Sequence, residues 1–248
     1  MVLNCIRTGI VLLFVILFLI VSIPVYFVFW LIGRISPETK DKASFHWVRG
    51  AFHVILFLAG TRVTAIGEEK IPRDRAVLYI GNHRSLLDIV ITYVRVPGLT
   101  GYLAKNQLAK IPLLRGWAKN IHCLFLDRED IRQGLQTILA AIELIKSGIS
   151  VFVFPEGTRN HVEGTLLPFH AGSFKIALKS GCPIVPVTIV GAGDLLEDHW
   201  PGCKAAHVVV EFGDPIDTLS LSAEEKKRIP ERVRELIAQT YEKNKGMI

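Results

Sequence analysis

A histidine and an aspartate stand five positions apart in Asn82-His83-Arg84-Ser85-Leu86-Leu87-Asp88, and a later block reads Phe154-Pro155-Glu156-Gly157-Thr158-Arg159. Histidine is the side chain best suited to accept a proton near neutral pH. A carboxylate on one ring nitrogen keeps that nitrogen protonated and leaves the other free as a base. The second block is a tight turn, allowed by Gly157, that exposes Thr158 and Arg159. An arginine so placed can grip a phosphate through two parallel hydrogen bonds. Together the blocks point to an enzyme that activates a hydroxyl on a phosphate-bearing substrate.

Each block also has a plainer meaning. A spacing of five does not put two side chains on one face of a regular helix. The chemistry therefore needs His83 in a turn and Asp88 in the first turn of a helix starting near Ser85. Ser85 through Asp88 also reads as a capping box, and Asn82-His83 as turn residues. Glu156 could orient Arg159 or accept from a substrate hydroxyl, but Pro-Glu-Gly is also an ordinary turn. Two more cations follow short apolar runs: Lys105, and Arg128 in Leu124-Phe125-Leu126-Asp127-Arg128. Arg128 can equally pair with Asp127 on the surface or lead into the helix at Asp130. Cations at the ends of separate strands converge on one mouth of an open sheet, the usual place for a ligand.

The elements that must position these residues alternate in type. Residues 76–80, 149–154, 184–190 and 206–212 read as strands, mostly of continuous apolar runs that fit a sheet covered on both faces. Pro183 and Pro186 place the third of these at an edge or a bulge. Val185-Pro186-Val187-Thr188 reads as core packing, with the lining of an acyl channel as the functional alternative. Asp130 to Ser147 reads as a helix, capped by Asp130, with Ile131, Leu135, Ile138, Ile142 and Ile145 on one face. Val233, Leu236, Ile237 and Tyr241 mark another, with Pro230 in its first turn. The fold class is α/β, with a mainly parallel or mixed sheet flanked by helices.

Residues 9–33 carry no charged side chain, a run long enough to cross a bilayer as a helix, with Pro24 placed to kink it. It is too long for a signal-peptide core and has no cleavage site after it. A second apolar run, Ala51 to Gly60, is too short to span and suits an interfacial, re-entrant or core helix. Two arrangements fit: a single span, or a hairpin dipping into one leaflet. The expected organisation is membrane-anchoring helices over 1–60 and an α/β domain over 61–248. Arg34, Lys40 and Lys42 after the run, against Arg7 before it, favour a cytoplasmic main domain. A formal net charge of +6 favours an anionic partner, a phosphate or an acidic membrane surface. No clustered basic and aromatic run suggests nucleic acid. The four scattered cysteines suit neither a zinc site nor a disulfide framework.

Four blocks in order, Asn82-His83 to Asp88, Phe125-Leu126-Asp127-Arg128, Phe154 to Arg159, and Val185-Pro186-Val187, resemble the 1-acylglycerol-3-phosphate acyltransferase family of the PlsC type. The stretch Lys105 to Gly116 resembles it too, and the likeness covers roughly Lys70 to Val190. Asn160-His161 departs from the family, where a serine commonly follows the arginine. The resemblance implies transfer of a fatty acyl chain from acyl-CoA or acyl-acyl carrier protein, as co-substrate, to lysophosphatidic acid, with no metal or redox cofactor. His83 would be the general base and Asp88 its orienting partner. Arg128 and the Glu156-Gly157-Thr158-Arg159 turn would hold the acceptor phosphate, with Lys105 as a further candidate. Another acceptor, such as glycerol 3-phosphate or a different lysophospholipid, fits the same chemistry. A non-catalytic protein that binds anionic lipid would use the same anchor and cations. The resemblance places the chain at a cell membrane of the bacterial inner-membrane kind.

Overall fold

The structure is a computed structural model that describes residues 2–126 and 130–248. Two helices open the chain, α1 (Val2–Ile35) and α2 (Pro37–Leu58). The break falls at Ser36, whose side chain caps α2 by accepting from the Thr39 N–H, with Pro37 in the first turn where its missing N–H costs nothing. The helices run antiparallel as a hairpin: Phe18 stacks on Trp47, and Gly33 lies against Lys40. Pro24 lies inside α1, which continues past it.

Among the described residues seven strands form one sheet: β1 (Arg62–Ile66), β2 (Leu78–Gly81), β3 (Thr100–Lys105), β4 (Leu124–Leu126), β5 (Ser150–Val153), β6 (Ile184–Val190) and β7 (His207–Phe212). Their order is β1-β7-β6-β2-β5-β3-β4. Strands β6, β2, β5, β3 and β4 are mutually parallel; β7 is antiparallel to β6, and β1 follows β7. Five carboxyl ends therefore open on one side of the sheet, where ligands of open α/β sheets bind.

The expected strands recur: 184–190 matches β6, the other three start one or two residues later than expected, β2 runs one residue further and β5 ends one sooner. The expected edge position of Pro186 does not hold: β6 lies between β2 and β7 and is buried throughout. The Pro186 carbonyl accepts from the Gly213 N–H, beyond the last β6–β7 pair, Val187 with Phe212. Its nitrogen faces that same side, where the ladder has ended, so no hydrogen bond is lost.

The period-two alternation of the strands feeds two cores. Tyr79, Tyr102, Phe152 and Phe212 face one side, with Phe45, Val48 and Leu56 of α2, Ile91 and Tyr93 of α3 (Leu87–Tyr93) and Trp117 of α4 (Pro112–Asn120). Leu78, Ile80, Val151 and Val153 face the other, with Ile142 and Ile145 of α5 (Ile131–Lys146), Ile176 of α6 (Lys175–Ser180), and Ile229, Val233 and Ile237 of α7 (Ala223–Asn244). Asp130 caps α5 through the Arg132 and Gln133 N–H groups, but Leu135 faces solvent rather than the expected core stripe. Pro230 sits inside α7, not in its first turn, because Ser222 and Glu225 form a reciprocal capping box that starts the helix earlier.

The second apolar run is thus a core helix: α2 buries its inner face, and Arg49 donates from Nη2 to the Val94 carbonyl at 2.6 Å. Helix α1 is long and apolar enough to cross a membrane. Yet it lies along the α/β domain. Thr8 bonds the 201–203 loop at its start, and Ser22 Oγ accepts from Trp117 Nε1 at 2.8 Å further on. Its outward face exposes Leu13, Ile16, Leu17, Ile20, Phe27 and Trp30. An uncovered apolar face of this extent fits membrane association.

Candidate active site

Strand β2 ends at Gly81, and the next residues are pinned to both neighbouring strands. Asn82 trades two hydrogen bonds of 2.8 Å with the Ile189 backbone of β6. His83 donates its backbone N–H to Glu156 Oε1 at 2.8 Å, and its carbonyl accepts from the Asn160 N–H at 2.8 Å. Its ring stacks on Phe154 with centroids 4.3 Å apart. The two sequence blocks meet because β2 and β5 are adjacent and parallel, so the loops after them leave the sheet side by side.

His83 lies in the turn and Asp88 in the first turn of α3, as the spacing requires. Their contact is His83 Nδ1 to Asp88 Oδ2 at 2.8 Å. The same Oδ2 accepts from the backbone N–H groups of Arg84 at 2.7 Å and Ser85 at 2.8 Å. The capping and the catalytic meanings of this block are therefore one arrangement: the carboxylate that organises the helix start also holds the imidazole. Asp88 is fully buried, and among the described residues its Oδ1 has no hydrogen-bond partner. With an acidic acceptor on Nδ1, the proton resides there and Nε2 is the basic nitrogen. Among the described residues no protein group bonds Nε2.

His83 opens on a cavity of about 630 Å³ that Lys105, Gly157, Arg159, His170 and Ser173 also line. Leu103, Leu126, Ile138, Val153 and Phe154 make much of the rest of the wall apolar. A pocket with few polar groups on an apolar wall suits a substrate with a charged head and a hydrocarbon tail. Of the expected site residues, the structure brings His83, Asp88, Lys105, Gly157 and Arg159 together. Arg128 lies outside the described residues. Thr158 is exposed and does not line the cavity.

Glu156 neither orients Arg159 nor meets the cavity. It is buried, with Oε1 on the His83 N–H and Oε2 on the Leu167 N–H at 2.8 Å. Burial pushes its carboxyl above the ordinary range, although the two backbone donors favour the charged form. Gly157 has φ 74, the left-handed conformation that the turn needs. Asn160, the departure from the family pattern, is buried and builds the following loop, with Nδ2 on the Thr165 carbonyl at 2.8 Å and Oδ1 on the Val162 N–H at 3.0 Å.

The family model described as Acyltransferase matches residues 62–190, the span that holds all of these loops. The 1-acyl-sn-glycerol-3-phosphate acyltransferase of Borreliella burgdorferi is 31% identical over 201 residues, covering 81% of this chain and 80% of that protein. The chain belongs to the 1-acyl-sn-glycerol-3-phosphate acyltransferase family. A probable 1-acyl-sn-glycerol-3-phosphate acyltransferase of Mycoplasma pneumoniae is 30% identical over 216 residues, covering 83% of this chain and 79% of that one. The crystal structure of the 1-acyl-sn-glycerophosphate (LPA) acyltransferase PlsC from Thermotoga maritima superposes with a TM-score of 0.76 at 27% identity, covering 96% of this chain and 97% of that one.

Within this acyltransferase fold, several site residues carry no legible signal in the sequence. His170 and Ser173 reach the cavity from a single 3-10 turn, Ala171–Phe174, and its lead-in. Arg84 is buried and ties its own loop to two others: Nε to Glu163 at 2.7 Å and Nη1 to the Asn160 carbonyl at 2.9 Å in the loop after β5, and Nη2 to Asp198 at 3.0 Å. Arg159 Nη1 meets Glu197 Oε1 at 2.8 Å. These partners lie far apart along the chain and share no spacing that would couple them.

Proposed function

We propose that the chain transfers a fatty acyl group from an acyl thioester to the sn-2 hydroxyl of 1-acylglycerol 3-phosphate, giving phosphatidic acid. The observation that carries this reading is the Asp88-held imidazole, whose free Nε2 opens on a cavity that also presents Arg159 and Lys105. Arg159 and Lys105 take the acceptor's phosphate, and the apolar wall takes hydrocarbon.

The acceptor hydroxyl gives its proton to His83 Nε2 as its oxygen attacks the thioester carbonyl. A carbon–oxygen bond forms, the tetrahedral intermediate collapses, the carbon–sulfur bond breaks, and the imidazolium returns the proton to the leaving thiolate. Asp88 stabilises the imidazolium while it exists. Among the described residues no serine or cysteine side chain hydrogen-bonds to His83, which supports direct transfer without an acyl-enzyme. The scheme needs no metal or redox cofactor; acyl-CoA or acyl-acyl carrier protein enters as co-substrate.

The enzyme sits on one leaflet. Thr8 and Ser22 tie α1 to the α/β domain at separated points, so the helix cannot stand across a bilayer without carrying polar loops into it. Its outward face lies in the lipid, with the site on the cytoplasmic side of a bacterial-type inner membrane. A non-catalytic anionic-lipid binder has use for that face but none for the His83–Asp88 pair.

The test is an assay of purified protein with lysophosphatidate and each thioester donor. Phosphatidate must form well above the level of a His83→Ala control, and equal rates would refute the proposal. Competition with glycerol 3-phosphate and other lysophospholipids identifies the preferred acceptor.

A further inference from the structure

Arg159 enters the cavity already engaged. Its partner Glu197 follows β6 on the 191–204 segment, beyond the matched residues 62–190 and outside every motif block. The Glu197 side chain is 4% exposed against 33% for Arg159. Its Oε1 accepts from Arg159 Nη1 and from the Leu86 N–H, both at 2.8 Å, while its Oε2 is buried and, among the described residues, without a partner. One carboxylate oxygen thus ties the cavity arginine to the residue that starts the helix carrying Asp88. Among the described residues Arg159 Nε and Nη2 have no protein partner.

The segment that carries Glu197 is fixed on two sides. Asp198 grips Arg84, and a Cβ at Gly193 would fall 2.6 Å from Asp198 and 2.9 Å from Arg84, so only glycine lets the loop approach so closely. On the other side, Thr8 of α1 accepts from the Cys203 N–H at 2.7 Å and donates to the Pro201 carbonyl at 3.0 Å.

We propose that Glu197 is a positioning residue for the phosphate grip: it holds one edge of the Arg159 guanidinium so that the other edge, Nε and Nη2, faces the acceptor's phosphate. The proposal rests on the assignment of Arg159 to that phosphate. A guanidinium has donors on separate edges and can bond a carboxylate and a phosphate at once. Holding the long side chain beforehand spares the substrate the cost of ordering it. A carboxylate that instead blocked the arginine would have to swing away when phosphate arrives. Glu197 is too buried for that, and leaving would strip the Leu86 N–H of its partner.

The experiment is steady-state kinetics with lysophosphatidate at saturating acyl thioester, on full-length protein with its melting temperature recorded. Glu197→Ala should raise KM for lysophosphatidate about tenfold, the effect of a modest misplacement, with kcat nearly unchanged. Glu197→Gln, whose amide oxygen can accept both bonds, should restore KM to within about threefold of the parent value. Glu197→Asp, too short to reach, should behave like Ala and serves if the Ala variant does not fold. A lowered KM in any of these variants, equal losses for Gln and Ala, or a loss confined to kcat overturns the proposal. Arg159→Ala separates the two assignments. If it leaves KM unchanged, the phosphate role of Arg159 falls. If it raises KM while Glu197→Ala and Glu197→Asp do not, only the positioning role falls. Combined with Arg159→Ala, Glu197→Ala should add no further loss.

Discussion

Replacing Asp88 by asparagine separates the helix-start role of this residue from its role toward His83. Asp88 Oδ2 accepts from three donors: His83 Nδ1 and the backbone N–H groups of Arg84 and Ser85. The two backbone donors cannot turn away, so they require an oxygen at that position and leave the asparagine amide group where Oδ1 stands now. His83 Nδ1–H keeps an acceptor, the tautomer is preserved, and Nε2 stays basic. What is lost is the negative charge beside the imidazolium. A pair of unit charges ~4 Å apart attracts by ~4 kcal/mol at an effective dielectric of ~20, and the amide dipole retains part of this. A net loss of about 3 kcal/mol in the transition state corresponds to a fall in kcat of roughly 10²-fold. Where such a substitution inverts the tautomer, as in the serine protease triad, the fall is nearer ~10⁴-fold. The assay is kcat with lysophosphatidate and a fixed thioester, beside circular dichroism and a melting curve. The new amide N–H₂ takes a buried place that had no partner, so a stability loss of about 1–3 kcal/mol accompanies the change. Activity within threefold of the parent would refute the orienting role. A fall near 10⁴-fold in a folded protein would refute the argument that the backbone donors hold the amide oxygen in place.

Three more outcomes are expected. Gly193→Ala drives a Cβ into the Arg84–Asp198 contact, at 2.9 and 2.6 Å, and should cost about 1–3 kcal/mol in denaturant unfolding; an unchanged midpoint would count against that contact. Burial raises the Glu156 carboxyl above its ordinary range, so its stability contribution is fully present below the unfolded value and is lost as pH rises through the raised one. The stability of the parent minus that of Glu156→Gln should therefore fall as pH rises from about 4 toward neutrality; a rising difference would reverse the sign. Helix α4 packs on α1 through Trp117 and Tyr26; Lys110 just before α4 and Arg115 and Lys119 on it are exposed and, among the described residues, pair with no carboxylate. Changing all three to Gln should weaken binding to anionic vesicles by about 1 kcal/mol per charge, with little effect on neutral ones; equal binding to both kinds by parent and variant would exclude their contact with the lipid surface.

What the sequence disclosed follows the range of the interactions involved. His83 and Asp88 are five residues apart and meet through one turn, so their spacing carries the contact. The buried strands are continuous apolar runs because both faces are covered, and the run 184–190 coincides with β6. Strand β1 is partly exposed along its length and its burial does not alternate, so its short Arg62-Val63-Thr64-Ala65 alternation does not stand out in the sequence. Pro230 suggests too late a start for α7, because the helix is begun by the Ser222–Glu225 box eight residues before the proline. Glu156 looked like a partner for Arg159 from adjacency alone. Its oxygens instead close onto the His83 and Leu167 backbones, which only the neighbouring loops bring near. Glu197 had no signal at all, since its contacts with Arg159 and Leu86 span 38 and 111 positions.

Strand direction explains why the candidate residues lie where they do along the chain. His83 and Asp88 follow β2, Gly157 and Arg159 follow β5, Glu197 follows β6, and Lys105 is the last residue of β3. These four strands are parallel, so their carboxyl ends meet at the same mouth. Strands β1 and β7 run the opposite way, and the residues that follow them, Gly67 and Gly213, sit at the other end of the sheet, where Gly67 packs on the Phe212 carbonyl. Neither strand contributes a residue to the cavity. The antiparallel β6–β7 step therefore separates the part of the sheet that builds chemistry from the part that completes the core. It also accounts for the place of Glu197, in the segment between β6, the last strand that points toward the site, and β7, which points away.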